Sequence, residues 1–294
     1  MSQSADFRSG KGHRDENFPV ASRLVSAKHR PVIMAFYDFA RAADDIADHT
    51  TLPADEKLMQ LDRLEGALLG QRDDDTIGVA LCKVLAARQM SPRHALDLLK
   101  AFRLDVTKTR YENWDELIDY CSYSAKPVGR FVLDVHGESV STWPASDALC
   151  VALQIINHLQ DCGKDYRDLD RVYIPLDALA AAGAQVADLG RPSSSSPLLG
   201  CLQGLARRTT RYLGDRPSPA ARVRDTRLAC EVAVIESIAH RLLGILETRD
   251  PLGEQVHLRR GEVLRAALAG GFAGLVSRLR PRDVSLRRSQ DAKT

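Results

Sequence analysis

Apolar side chains recur along this chain at helical spacing, and no segment alternates as a half-buried strand would. Residues 31–48 open the pattern: Pro31 suits a first helical turn, and Ile33, Phe36, Tyr37 and Ala40 fall on related faces. The turn Leu52-Pro53-Ala54-Asp55 leads into a second helix at 56–69. Further helices are expected at 76–88, 92–107, 114–133, 146–168, 196–212, 221–246 and 261–278. The stretch Gly190-Arg191-Pro192-Ser193-Ser194-Ser195-Ser196-Pro197 has turn chemistry and no apolar anchor. It reads as a loop between helices rather than a domain linker, because neither flanking half carries a complete pattern of its own. The expectation is one all-α domain over residues 17–276. A polar, disordered segment 1–16 precedes it and a basic, flexible tail 277–294 follows.

Composition agrees with that class. Of 294 residues, 44% are hydrophobic but only 5% aromatic, and Ala and Leu dominate, which favours helix over sheet. The 41 basic and 39 acidic residues nearly cancel, so no general attraction to nucleic acid is expected. The tail is different: six basic and two acidic residues after position 276 leave it at +4, which suits weak contact with anionic lipid head groups. Six cysteines without a C-x-x-C pair, and an N-terminus unlike a secretory signal, fit a reduced cytoplasm. The best membrane-span candidate, 263–276, is too short, Gly-rich and interrupted by Arg265. A cytoplasmic protein is expected, at most peripheral to the inner face of the membrane.

Two acidic motifs carry the candidate chemistry. In Arg41-Ala42-Ala43-Asp44-Asp45-Ile46-Ala47-Asp48, Asp44 and Asp48 stand one helical turn apart, with Arg41 beside them. Like charges at that spacing repel by roughly 0.2–0.5 kcal/mol. The second motif runs from Gln154 to Asp165 and places Gln154, Asn157, Asp161 and Asp165 on one face, while Ile155, Ile156 and Leu159 turn toward packing. One such motif is usually a solvated face. Two of them on strongly apolar helices point to hard oxygen ligands for Mg²⁺, which takes one or two carboxylates together with substrate phosphates. Arg41 is a natural diphosphate fork, with an intrahelical partnership to Asp44 or Asp45 as the alternative. Asp168 and Asp170 lie among Lys164, Arg167 and Arg171, and surface salt bridging is expected for that group.

These blocks resemble the squalene and phytoene synthase family. The resemblance rests on both acidic motifs, on Asn17-Phe18-Pro19-Val20-Ala21-Ser22, on Tyr120-Cys121-Ser122-Tyr123-Ser124-Ala125 and on Arg171-Val172-Tyr173-Ile174-Pro175, all in order between residues 17 and 189. Lys126-Pro127-Val128-Gly129-Arg130 departs from the family's small-residue run. Together with the stretch from Asp161 to Asp170, it is similar to the bacterial hopanoid-pathway branch that makes hydroxysqualene from presqualene diphosphate. The resemblance implies an isoprenoid-synthase helical fold with the two motifs facing across a central cavity. It also implies Mg²⁺ held by Asp44 and Asp48 from one side and by Asn157, Asp161 and Asp165 from the other, and a prenyl diphosphate substrate. An upstream enzyme would supply the presqualene diphosphate, and no NADPH is expected.

By the same correspondence Tyr120 faces the reacting carbons, its alternative being core packing with a satisfied hydroxyl. Ser22 reaches the diphosphate, and Lys108, next to Arg110 and Tyr111, either braces a junction or contacts a phosphate. The catalytic candidates are thus Asp44, Asp48, Asp161, Asp165 and Tyr120, and the substrate-binding candidates Ser22, Arg41, Gln154, Asn157 and Lys108. Gln160 stands where many relatives carry Arg, and His158, without a metal-spaced partner, reads as structural. No P-loop, G-x-S-x-G or post-strand G-x-G-x-x-G motif appears. Competing readings are a squalene, presqualene diphosphate or phytoene synthase that condenses two prenyl diphosphates such as farnesyl diphosphate, and a non-catalytic helical scaffold or lipid-binding protein.

Overall fold

A computed structural model describes residues 26–254 together with 256 and 258. The expected N-terminal segment 1–16, the block 17–22 with Ser22, the helix at 261–278 and the basic tail lie outside the described residues.

Eleven α-helices follow one another within the described residues. Helix α1 (Arg30–Ala47) begins with Pro31 in its first turn and buries Val32, Ile33, Phe36, Phe39 and Ala43 along one stripe. Helices α2 (Ala54–Leu68), α3 (Thr76–Ala87) and α4 (Arg93–Thr107) pack around it. α3 starts at Asp75, whose carboxylate accepts from the amides of Ile77 and Gly78. Then come α5 (Trp114–Ser124), α6 (Lys126–Val135), the long α7 (Trp143–Leu169), α8 (Leu176–Ala182), α9 (Ser196–Gly214), the single turn α10 (Pro219–Arg222) and α11 (Thr226–Leu246). No strand occurs among the described residues, and the one sheet-like feature is an isolated parallel bridge between Arg110 and Val172.

Two larger cores fill the interior among the described residues. One gathers apolar faces of α1 to α4 with α6, centred on Phe39 and on the stacked rings of Phe36 and Phe131, 3.8 Å apart. The other is built on α5, α7, α9 and α11, with Ile155, Ile156 and Leu159 of α7 almost fully buried against Leu202, Leu242 and Leu243. The polar face of α7 is left for chemistry.

Three expectations are corrected. The helix expected at 114–133 is two helices, broken at Ala125, whose backbone (φ −118°, ψ −51°) leaves the regular path. Pro127, at the start of α6, has no amide to donate to Tyr123, and its ring crowds that carbonyl, so a continuous helix is excluded. The helix expected at 221–246 starts as α10 and restarts at α11. Between them the amides of Arg224 and Asp225 donate to the Glu138 carboxylate, at 2.8 and 2.7 Å, and Asp225 caps the Leu228 amide. Helix α7 begins three residues earlier than expected, with Pro144 in its first turn. The residues from Gly190 to Pro197 do connect elements: a short 3-10 turn (Val186–Gly190) ends there, Ser194 is held by Asp250, and Ser195 caps α9.

Helices α6 and α7 approach closely at Gly129, where an added Cβ would lie 2.5 Å from Cys150 Sγ and 2.6 Å from Ser146 Oγ. Gly129→Ala is therefore expected to cost about 1–3 kcal/mol through overpacking. The urea midpoint should fall with unchanged slope, and an unchanged midpoint would show that the two helices can separate freely.

Candidate active site

The C-terminal half of α1 presents the first motif. Arg41 Nη1 lies 2.7 Å from Asp44 Oδ2 and Arg41 Nη2 3.0 Å from the buried Asp45 Oδ1, so the guanidinium is clamped along its own helix. Asp48 caps α1 and meets Arg171, which also donates to the Ala47 carbonyl at 2.8 Å. A cation at a helix C-terminus is favoured by the unpaired carbonyls there.

Arg171 corrects the surface salt-bridge expectation: its side chain is 7% exposed, and it crosses from the end of α7 to the end of α1. The chain geometry explains this. Asp170 ends α7 in the left-handed conformation (φ 51°), and the Val172 amide donates to the Thr109 carbonyl at 2.9 Å. Amides of Leu176 and Asp177 likewise donate to the carbonyls of Tyr111 and Glu112, tying the segment after α7 to the loop before α5 and turning Arg171 inward. Asp170 remains exposed and pairs with Arg110 rather than with Arg171, and Asp168 is also exposed.

Helix α7 carries the second motif, with Asp161 exposed and Asn157 and Asp165 half-buried. Burial, then the charges of Asp161 and Asp48, raises the Asp165 carboxyl to about 7. Burial and the charge of Asp48 likewise push Asp44 to about 7, against the opposing pull of Arg41. Asp48 of α1 thus acts on Asp165 of α7 through space, and the two motifs share one electrostatic environment. Gln154 hydrogen-bonds His158 Nε2 at 3.1 Å, within the same helix.

Beneath the carboxylates lies a polar aromatic cluster. Asp105 of α4, 7% exposed, accepts from the hydroxyl of Tyr120 at 2.9 Å and from that of Tyr173 at 2.6 Å. His158 stacks on Tyr173 at 3.7 Å, and burial lowers its pKa to about 3, so it is neutral. Other candidates point elsewhere. Lys108 pairs with Glu116 and covers the ring of Tyr111, bracing the loop into α5. Gln160 donates to the Val256 carbonyl, toward the C-terminal segment.

Asp105, beside the candidate site, is not singled out by the sequence pattern, and Arg171 and Tyr173 enter only as part of a family block, without the partners the structure gives them. One signal existed: Asp105 continues the buried stripe of Leu98 and Ala101 on α4, and a carboxylate on an apolar face needs partners.

The donor set fits a hard divalent cation. Carboxylate oxygens held in a partly desolvated, like-charged group gain from a cation more than solvated ones do. Among the described residues no three His, Cys, Asp or Glu side chains already form a ligand group.

The raised carboxyls have a measurable consequence. A group whose pKa is higher folded than unfolded stabilises the fold below its unfolded pKa and loses that contribution as pH rises through the folded value. Between pH 4 and 6.5 the three buried histidines His29, His94 and His158, all lowered first by burial, act in the opposite sense and offset the carboxyls. Above the ordinary histidine pKa of about 6.5 the unfolded-state histidines progressively lose their protons, and the raised carboxyls set the sign. The melting temperature of the metal-free protein is therefore expected to fall from about pH 6.5 to 8, and Asp44→Asn and Asp165→Asn should each flatten the fall. A wild-type melting temperature that rises over this range would contradict the assignment.

The sequence model of the squalene/phytoene synthase family matches residues 12–262. The chain belongs to this family. A hydroxysqualene synthase of Rhodopseudomonas palustris is 59% identical over 278 residues, 95% of each chain. One from Sinorhizobium fredii is 56% identical over 264 residues, 90% of each chain. The solved squalene synthase of Alicyclobacillus acidocaldarius superposes with a TM-score of 0.67 at 30% identity, covering 77% of this chain and 86% of that one. Within the squalene/phytoene synthase family the chain falls in the hydroxysqualene synthase branch. It is an enzyme of prenyl diphosphate chemistry with the all-α isoprenoid-synthase fold. None of its described helices is long and apolar enough to cross a membrane.

Proposed function

We propose that this enzyme converts presqualene diphosphate and water into hydroxysqualene and diphosphate, without NADPH. What supports the site reading is the Arg171 bridge to Asp48 and to the Ala47 carbonyl, which ties the end of α1, where the first motif lies, to the segment that follows the second motif on α7. The choice of product follows the relatives of the hydroxysqualene synthase branch.

Asp44 and Asp48 on α1 and Asn157, Asp161 and Asp165 on α7 would hold Mg²⁺. Bound there, Mg²⁺ would offset the negative charge that gathers on the diphosphate oxygens as the C–O bond breaks. Arg41, now paired with Asp44 and Asp45, would take a diphosphate oxygen in exchange for one carboxylate partner, since its fork matches phosphate. Ser22, Lys108 and Gln154 remain proposed substrate contacts. For Lys108 this requires leaving Glu116, and for Gln154 leaving His158.

The electron pair of the C–O bond leaves with diphosphate, and the remaining cyclopropylcarbinyl cation opens its ring. Water then adds to the rearranged cation and loses a proton, so atoms and charge balance without a reductant. An enzyme that joins two farnesyl diphosphates must supply the substrate, and the basic tail after position 276 is proposed to keep the enzyme near the membrane surface where a C30 alcohol partitions.

Incubation of the purified protein with presqualene diphosphate and Mg²⁺ in H₂¹⁸O tests the reading. One heavy oxygen should appear in a C30 alcohol whether or not NADPH is added. Squalene formed only when NADPH is present would overturn it.

A further inference from the structure

The aromatic cluster beneath the carboxylates is organised around one acid that neither acidic motif contains. Asp105 is buried, and each of its oxygens accepts a phenol hydroxyl, Oδ2 from Tyr120 on α5 and Oδ1 from Tyr173 on the segment after α7. The rings of Tyr111, Tyr120 and Tyr173 lie 5.2, 5.6 and 5.3 Å from one another, so Tyr111 packs against the two rings whose hydroxyls bond the acid. His158 stacks on Tyr173 and lies 5.9 Å from Tyr120, and Gln154 holds it by hydrogen bonding to Nε2. Four elements thus converge on a carboxylate: α4, α5, α7 and the segment after α7.

Packing alone does not ask for this arrangement. Phenylalanines would fill the same volume without a buried charge, and an unpaired buried carboxylate is costly. Burial raises Asp105 to about 6, while Arg171 and the two phenols pull it back, so the acid is mostly ionised at neutral pH. Two charge-assisted O–H donors then hold both ring planes in one orientation. They also shift electron density into rings whose faces attract a cation. The neutral His158 extends the aromatic surface without adding an opposing charge.

The geometry points to Asp105 as a positioning residue for the reacting cation, acting through Tyr120 and Tyr173, with Tyr173 a second aromatic wall beside Tyr120. The inference rests on the proposed reading of the site as one where a carbocation forms. Its neighbourhood supports the placement: Arg171, two residues before Tyr173, bonds Asp48 of the first motif, and Gln154 of the second motif bonds the His158 ring that stacks on Tyr173, so the ring cluster adjoins the carboxylates where diphosphate would leave. A cation held against pinned ring faces has its rearrangement guided and its capture point set. Freed rings would let it be quenched at other carbons.

Asp105→Asn, close to isosteric, tests this with presqualene diphosphate and Mg²⁺ as substrate and probe. A carboxamide can accept from one phenol only and turns a donor toward the other. The kcat is expected to fall about 10- to 100-fold with KM within twofold, and the share of C30 alcohols other than hydroxysqualene to rise. Tyr173→Phe, which keeps the ring and removes one donor, should shift the product ratio in the same direction. It keeps the test decisive where Asp105→Asn fails to fold. In a Tyr120→Phe/Tyr173→Phe background, Asp105→Asn should change kcat less than threefold further, because the groups it acts through are gone. An unchanged kcat and product ratio in Tyr173→Phe, an effect on KM alone, or an undiminished effect of Asp105→Asn in the double-Phe background would overturn the inference. Running wild type alongside with NADPH separates the two readings. Squalene from wild type would refute water capture, while the kcat ratios would still decide the role of Asp105.

Discussion

Asp161→Asn and Asp44→Asn are each expected to lower kcat on presqualene diphosphate by about 10²–10³-fold, as loss of one preorganised charge-stabilising group does. The substitution is almost isosteric, so it leaves no cavity. Asp161 is exposed and Asp44 has a 34% exposed side chain, so neither supports the core. Removing the negative charge at position 44 relieves repulsion with Asp48, and the metal-free variant should melt no lower than wild type. Activity and stability therefore separate, which a purely structural role would not allow. A variant within tenfold of wild-type kcat at ordinary Mg²⁺ would sink the assignment of the two motifs. Asp168→Ala, exposed in the last turn of the same helix and outside the proposed ligand set, is the matched control and should retain turnover.

Arg171→Met should have the largest effect on stability. It removes the partner of Asp48, the donor to the Ala47 carbonyl and the positive charge that holds the buried Asp105 carboxyl down. Breaking a fully buried ion pair costs about 3–5 kcal/mol. Asp48 is 42% exposed and can recover hydration, so about 2–3 kcal/mol is the expected loss near neutral pH. The loss should depend on pH in a defined direction. Arg171 holds the Asp105 carboxyl down, and without it the folded-state pKa rises above about 6. The carboxyl is neutral in the variant below that value and needs no cation, whereas above it a buried charge is left exposed to desolvation. The deficit relative to wild type, read from urea unfolding, should be smaller at pH 5 than at pH 8. Arg171→Lys, which keeps the charge and loses the fork, should fall between the two. A deficit equal at both pH values would mean that Arg171 acts by packing alone.

Much of the proposed site is legible in the amino-acid sequence. Asp44 and Asp48, and Asn157, Asp161 and Asp165, share helical faces because 3.6-residue periodicity places i, i+4 and i+8 near one another, and that geometry is local. The helices themselves follow from apolar stripes and from Pro31, Asp75 and Asn113 at their starts. The break at Ala125 is also local, signalled by Pro127, but a continuous apolar stripe on both sides masks it.

Arg171 is not legible in this way. Its near neighbours in sequence are Asp168 and Asp170, and short-range pairing would have kept it at the surface. Its actual partners, Asp48 and the Ala47 carbonyl, lie more than 120 positions away. The same holds for Asp105, which needs Tyr120 and Tyr173, 15 and 68 positions on, to become tolerable in the interior. Periodicity by itself determined that this chain makes helices and which carboxylates stand together on each. Only the tertiary structure decided which charges are buried and what neutralises them, because desolvation and Coulomb interaction depend on distance through space and not on separation along the chain.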